Sequence, residues 1–207
     1  IIHENMKKFF LIIIISLSLS PSLLANKIFL SQFGYSVEIP DDYVKYTRSY
    51  LEKNMNKIIS QSNDAGFNFT EEIFLNQMSK LEKLDLDQFV NINNIADSIT
   101  FYSMENIPIL TEKEIKNNKD EIKKITANQN GLGDYDFTVF EIIIISVDGK
   151  KGHRIVFDAG LPTFFVSDAW IEIKNKNNLR IVTTKNNTDF FSFNNFIEEI
   201  EATLKFR

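Results

Sequence analysis

FTVFEIIIISVDGKKGHRIVF, residues 137–157, is the stretch on which the fold turns. Two apolar runs flank Asp148-Gly149-Lys150-Lys151-Gly152, whose aspartate and glycines suit a tight reversal, so the segment reads as a β-hairpin. Ile142 to Ile145 are apolar at consecutive positions rather than alternating. That pattern suits a strand covered on both faces, and Phe137 to Val147 is expected to be a central strand. Thr163 to Lys174 continues as a long third strand, and Lys176-Asn177-Asn178 turns the chain into a fourth, Leu179 to Thr184. A helix capped near Ser192 closes this half, with Phe193, Phe196, Ile197, Ile200 and Leu204 on its buried face. Its Glu198, Glu199 and Glu201 precede Lys205 and Arg207, the order a helix dipole favours. The C-terminal half is therefore an antiparallel meander capped by a helix.

Upstream, Phe33 to Ile39 reads as a first strand stopped by Pro40-Asp41-Asp42. Two amphipathic helices follow. Leu51, Met55, Ile58 and Ile59 share a face between about Thr47 and Gln61. Thr70 caps the second, Glu71 and Glu72 suit its positive end, and Phe69 can staple onto Phe74; its buried stripe is Phe74, Met78 and Leu81. Short strands are expected at Asp87–Asn91 and Ser98–Ser103. Thr111-Glu112-Lys113-Glu114 has the form of a capping box, opening a helix to about Ala127 whose narrow stripe is Ile115, Ile122 and Ile125. Asn130-Gly131-Leu132-Gly133 stops it. The glycines follow a helix and precede a strand, the reverse of a phosphate-binding loop.

Residues 1–25 have a different character. Met6 is the expected start, Lys7 and Lys8 form a positive n-region, Phe9 to Ile15 is an unbroken apolar block, and small residues lead to Ala25, the pattern of a cleaved export signal. Retention as an inner-membrane anchor, which would make the protein an anchored assembly factor, is the alternative. Phe9 to Ala25 just reaches the roughly 17–25 residues of a spanning helix, with serines and Pro21 inside. Residues 26–207 then form one domain, to be found in the periplasm or secreted, or facing the periplasm if anchored.

Composition excludes several function classes. Hydrophobic residues make up 43% and charged residues 25%, enough to build a core. Net charge is −5; taking Lys7, Lys8 and Glu4 from 23 basic and 28 acidic residues leaves 21 and 27, or −6. A chain this acidic lacks the basic face that nucleic acid requires. There is no cysteine, hence no thiol nucleophile, thiolate metal site or disulfide. Past residue 25, His153 is the sole histidine, so a conventional zinc site cannot be assembled within one chain. Neither a G-x-S-x-G elbow nor a P-loop nor a dinucleotide fingerprint occurs. No cofactor is implied, and the balance points away from an enzyme.

Three stretches, GYSVEIPDDY (34–43), ILTEKEIKNN (109–118) and LRIVTTKNNTDFFSFNNFIEEIEATLKF (179–206), together resemble the PsbP-like and DcrB-like family. The resemblance implies an α+β architecture: an antiparallel β-sheet with a C-terminal meander, flanked by helices on both faces as an α/β/α sandwich. It also implies a protein that binds partners rather than transforming substrates. No residue of the family's binding surfaces has a counterpart that can be carried over, and the helices between Thr47 and Lys83 exceed the compact family pattern.

Five side chains remain as surface or pocket candidates. Glu141 is the one charge inside an apolar strand: either a buried acid facing a pocket, where desolvation would raise its pKa, or, the commoner case, a residue near the strand's start where the sheet is still open. Asp158 lies on the neighbouring strand of the hairpin, so a Glu141–Asp158 cleft is the one acid pair that folding might assemble. His153, next to the turn, is expected to be exposed. Trp170 with Asp168 on the same strand face forms either an aromatic-acidic contact patch or part of a covered core, the latter favoured by the size of the ring. Asp134 with Asp136, and Asp85 with Asp87, have carboxylate spacing but lack the further oxygens of a calcium loop. The expected function is a non-catalytic exported protein that binds an envelope protein partner through a sheet edge or the meander loops. A small-ligand binder or carboxylate-dependent hydrolase is the alternative, to be recognised by acids converging in a cavity.

Overall fold

Asp148 and Gly149 have φ of 49° and 74°. Positive φ at both central residues gives a two-residue turn whose twist matches that of the flanking strands. The turn is thus tighter than the five residues expected, and Lys150 to Gly152 already belong to a strand. In the computed structural model, which describes residues 27–64, 70–81, 85–94, 96–105, 108–129, 137–158, 164–174 and 177–207, this hairpin joins β6 (Val139–Val147) to β7 (Lys150–Asp158). The meander continues through β8 (Phe165–Lys174) and β9 (Asn177–Lys185). The leader, Phe69, Leu81's side chain, Asp134, Asp136 and the 130–133 helix stop lie outside the described residues.

The first half supplies β1 (Lys27–Leu30), β2 (Tyr35–Ile39), β3 (Tyr43–Lys45), helices α1 (Arg48–Asp64) and α2 (Glu71–Leu81), then β4 (Leu86–Asn91) and β5 (Ser98–Glu105). Helices α3 (Glu112–Asn117) and α4 (Lys119–Gln129) precede the meander, and α5 (Phe190–Thr203) with the two-residue β10 (Lys205–Phe206) ends it. All strand pairs are antiparallel. The main sheet runs β3-β4-β5-β9-β8-β7-β6, and a second sheet runs β1-β2-β10.

Alternation along the strands gives the main sheet two differently covered faces. On one, Phe89, Ile99, Phe101, Ala169, Ile171, Leu179 and Ile181 pack against Tyr35, Val37 and Ile39 of β2 and against Ile200 and Leu204 at the end of α5. On the other, Ile155, Phe157 and Val166 pack against Phe137 and Ile122, with Leu110 and Ile115 beside them. Helices therefore flank both faces, as the α+β sandwich requires. Helices α1 and α2 join through a cluster of their own, Leu51, Ile58, Phe74 and Met78.

Several expectations need correction. Strand β6 is not central but ends the seven-stranded sheet; only Val147 of its nine residues is buried. The isoleucine run pointed to two covered faces, yet Phe140 is 47% and Ile144 38% exposed. The single helix expected from Thr111 is two. The capping box forms, Glu114 N–H donating to Thr111 Oγ1 (3.3 Å) and Thr111 N–H to Glu114 Oε2 (2.8 Å). Asn118 then leaves helical geometry at φ −127° and its carbonyl starts α4. The break lets Ile115 and Ile122 both meet the sheet, while Ile125 is left 47% exposed. The cap of α5 is Asp189, which accepts from the Ser192 N–H at 3.0 Å, so Ser192 lies inside the first turn. Strands β1, β3 and β10 had no sequence signal of their own.

Gly152 marks a close approach between strands. A Cβ there would run into the carbonyl oxygen of Trp170 and crowd Ile145 and Ile171, so no larger residue fits.

Candidate functional site

The register distributes the five candidate residues between the two faces. His153 lies across from Trp170, Trp170 from Arg180, and Arg180 from Tyr102, forming a row over four strands. Asp168 is two residues from Trp170 and points to the same side. Glu141 lies across from Val156 on the opposite face, and Asp158 lies across from Phe165 on that same face.

His153 is 4% exposed, not exposed as its place beside a turn suggested. The segment before α3 covers it, and the Leu110 N–H donates to its Nδ1 at 3.2 Å. Burial pushes the imidazole pKa down to about 4, against an opposing pull from the Asp168 carboxylate, so the ring is neutral at neutral pH. With Nδ1 accepting, the proton resides on Nε2. Trp170 is 2% exposed and belongs to the covered reading. Asp168 is held bidentately by Arg180, Nε–Oδ1 at 2.9 Å and Nη2–Oδ2 at 2.7 Å. The same guanidinium lies over the Trp170 ring at 5.0 Å and the Tyr102 ring at 5.7 Å. Between this row and α4 is a cleft of about 250 Å³ lined by Pro108, Leu110, Ile122, Ile125, Thr126, Gln129, His153, Ile155 and Trp170.

On the opposite face the acids do not converge. A bulge falls between Val139 and Glu141, where the register shifts. Glu141 turns to Arg154, Oε2 to Nη2 at 3.1 Å, while Asp158 Oδ1 accepts from the Thr138 N–H at 3.0 Å. Arg154 is 2% exposed and is met from α5 by Glu201 at 3.0 Å and Asn194 at 3.0 Å, with Glu198 at 3.6 Å. Desolvation raises the pKa of Glu201 to about 7, with Arg154 opposing and Glu198 and Glu141 adding to the rise. The sequence marked only Glu141 of this network, because the members that complete it, Asn194, Glu198 and Glu201, lie on α5, about 40 or more positions beyond Arg154. Asp87, one of the spaced acids, is taken up by Ser31 Oγ at 2.6 Å, Tyr35 Oη at 2.8 Å and Lys45 Nζ at 2.8 Å.

The bulge has a further effect. It places the Phe140 ring on the α5 side, stacked on Phe190 at 5.3 Å and edge-on to Phe165 at 5.4 Å. Phe165 stacks in turn on the fully buried Phe193 at 5.8 Å, and Phe190 meets Phe191 at 5.8 Å. The result is an aromatic cluster that starts in the core and surfaces at the sheet edge, where Phe191 is 78% exposed. Asp158 and the exposed cap Asp189 border it. Among the described residues, no strand pairs with the outer edge of β6. Sequence inspection missed this patch because β6 alternates on one side of the bulge and not through it.

No family model matches the chain, and no curated protein sequence matches it. Solved structures do. Cyanobacterial PsbP (CyanoP) from Synechocystis sp. PCC 6803 is 8% identical, with a TM-score of 0.55, over 91% of this chain and 96% of that one. The Ran-binding protein Mog1p of Saccharomyces cerevisiae is 10% identical, with a TM-score of 0.48, over 88% of this chain and 96% of that one. At 8% identity the likeness to the cyanobacterial PsbP is one of backbone architecture, and it agrees with the antiparallel sheets and flanking helices described above: the chain has a PsbP-like fold.

Proposed function

We propose that this protein is a non-catalytic binding protein that docks an extended segment of a partner protein along the outer edge of β6. The observation that carries the reading is the surfacing aromatic cluster, Phe140, Phe190 and Phe191, beside the outer edge of the nine-residue β6, with which no strand among the described residues pairs. An open strand edge offers main-chain hydrogen bonds to an added strand, and exposed aromatic rings next to it supply the side-chain anchor. Soluble proteins usually blunt such edges, so one left open by the described residues beside a 78% exposed phenylalanine is a liability unless something covers it. Asp158 and Asp189 at the border favour a partner segment bearing lysine or arginine next to an apolar residue.

The candidate acids support the same side of the choice. Glu141 is engaged by Arg154, Asp158 by the Thr138 amide and Asp168 by Arg180, and no two of them face each other. The leader-like residues 6–25 support action outside the cytoplasm, with an envelope protein as partner; neither nucleic acid nor a cofactor enters the reading.

The test is site-specific photocrosslinking in cells that make the protein. A benzophenone amino acid at position 144 or 191 should give one discrete adduct, and the same probe at Glu52, on exposed α1, should not. Phe140→Ser should abolish the adduct from position 144 while leaving the unfolding free energy, measured by urea titration, within about 1 kcal/mol of the parent, since that ring is half-exposed. Equal labelling from all three positions, or an adduct indifferent to Phe140→Ser, would overturn the reading.

A further inference from the structure

The cleft between α4 and the sheet is independent of the β6 edge and lies on the other face. We infer that it is a binding site for a small uncharged molecule with a saturated or aromatic ring and one hydrogen-bond acceptor.

The size sets the first limit. A dry apolar cavity of about 150 Å³ accommodates benzene, so a cleft of about 250 Å³ has room for a single substituted ring. The walls set the second. Leu110, Ile122, Ile125, Ile155 and Trp170 are apolar, and His153 on the sheet, with Thr126 and Gln129 on α4, supplies the polar part of the lining. Its Nδ1 already accepts from Leu110 N–H, which leaves Nε2–H as the ring's remaining polar group, a donor that selects an acceptor on the ligand. Charge sets the third. The imidazole is neutral and buried, and the guanidinium that lies over the Trp170 ring, that of Arg180, is engaged with Asp168. A carboxylate or ammonium would thus lose its hydration without gaining a counter-ion, which disfavours either strongly.

The architecture is that of a preformed site. Trp170 is clamped between the Arg180 guanidinium and the packed strands, and His153 is held by a backbone amide, so neither ring must be ordered when a ligand enters. The open side lies along α4, where Ile125 is 47% exposed and Gln129 is exposed. That gives a mouth with a polar rim over an apolar interior, the usual form of a small-molecule site.

Trp170 is the only tryptophan in the chain, so its indole N–H is a single, unambiguous NMR reporter of occupancy. Titration of the protein with cyclohexanone should shift that signal saturably, with a Kd in the millimolar range or tighter, as about 7 heavy atoms allow. Methylcyclohexane, a ring without an acceptor, should bind about tenfold more weakly, and cyclohexanecarboxylate should give no saturable shift. Ile125→Phe should fill the mouth and abolish the response; its site is half-exposed, so folding is unaffected. His153→Leu should equalise cyclohexanone and methylcyclohexane, and the folded indole signal of that variant shows whether it remains native. Absence of a saturable shift with both neutral rings would overturn the inference. So would stronger binding of the carboxylate, or a cyclohexanone response unchanged by Ile125→Phe. None of these outcomes depends on Phe140 or Phe191, so the site and the β6 edge stand or fall separately.

Discussion

Replacing Glu201 with glutamine should remove a specific pH dependence from the stability of this protein. Glu201 is drawn under α5 against Arg154, and burial lifts its pKa from 4.5 to about 7. The folded state therefore holds a proton that the unfolded chain has released between those values, and stability falls as pH rises through that window. A shift of this size corresponds to about 3 kcal/mol at most, present below pH 4.5 and lost above pH 7. His153 works in the opposite sense. Its pKa falls from 6.5 to about 4 on folding, so its contribution is complete above pH 6.5 and is lost as pH drops toward 4. The two slopes overlap and largely cancel, which makes the parent protein's own pH profile a poor guide. The difference between parent and Glu201→Gln isolates the carboxylate, because glutamine imitates its protonated form. Urea unfolding at intervals from pH 4.5 to 8 should show the variant gaining on the parent by 2–3 kcal/mol across the range. A stability difference that stays constant with pH would refute the argument. The proton would then not be where the packing of Arg154, Glu141, Glu198 and Glu201 puts it.

Gly152→Ala should destabilise by about 2–3 kcal/mol through the clash with the Trp170 carbonyl, seen as a lowered Tm; an unchanged Tm would mean that β7 and β8 are not so closely apposed. Asp87→Ala should cost about 3–5 kcal/mol, because Ser31, Tyr35 and Lys45 all lose their acceptor, and urea titration measures it. Phe193→Ala should cost about 3–5 kcal/mol, since the ring is fully buried, whereas Phe196→Ala should cost less than half as much because that ring is only partly covered; equal losses would show that α5 is rotated from its described seat.

What could be read from the sequence was local. The β6–β7 turn, the capping box at Thr111, the strand β8 and the stripe of α5 each carry their signal within a few residues, and the structure has all of them. The centre of the sheet was misjudged because consecutive isoleucines are ambiguous. Two-sided burial and a bulged edge strand leave the same run of letters, and only the pairing order separates them. His153 illustrates the second kind of failure. Its neighbours in sequence are a glycine turn and an arginine, yet its cover comes from Leu110, 43 positions earlier. Arg154 passed without remark for the same reason, as its acceptors Asn194 and Glu201 sit 40 and 47 positions downstream. Trp170 and Asp168 were legible as a pair on one strand face, but the Arg180 that joins them is set by strand register, which composition does not encode.

The small sheet carries a consequence for the order of folding. Its middle strand, β2, is flanked by β1 on one side and by β10 on the other, and Arg207 reaches back to the Ser31 carbonyl across 176 positions. Tyr35 and Val37, both fully buried, need Leu204 and Ile200 above them before their cover is complete. Local hairpins such as β6–β7 can form in microseconds, but a nucleus that joins residues 35–39 to 200–207 must first close a loop spanning most of the chain. The nascent chain thus cannot complete the cover of Tyr35 and Val37 until residues 204–207 have been made, which postpones commitment to the native state and prolongs the interval in which chaperones meet an unfolded polypeptide.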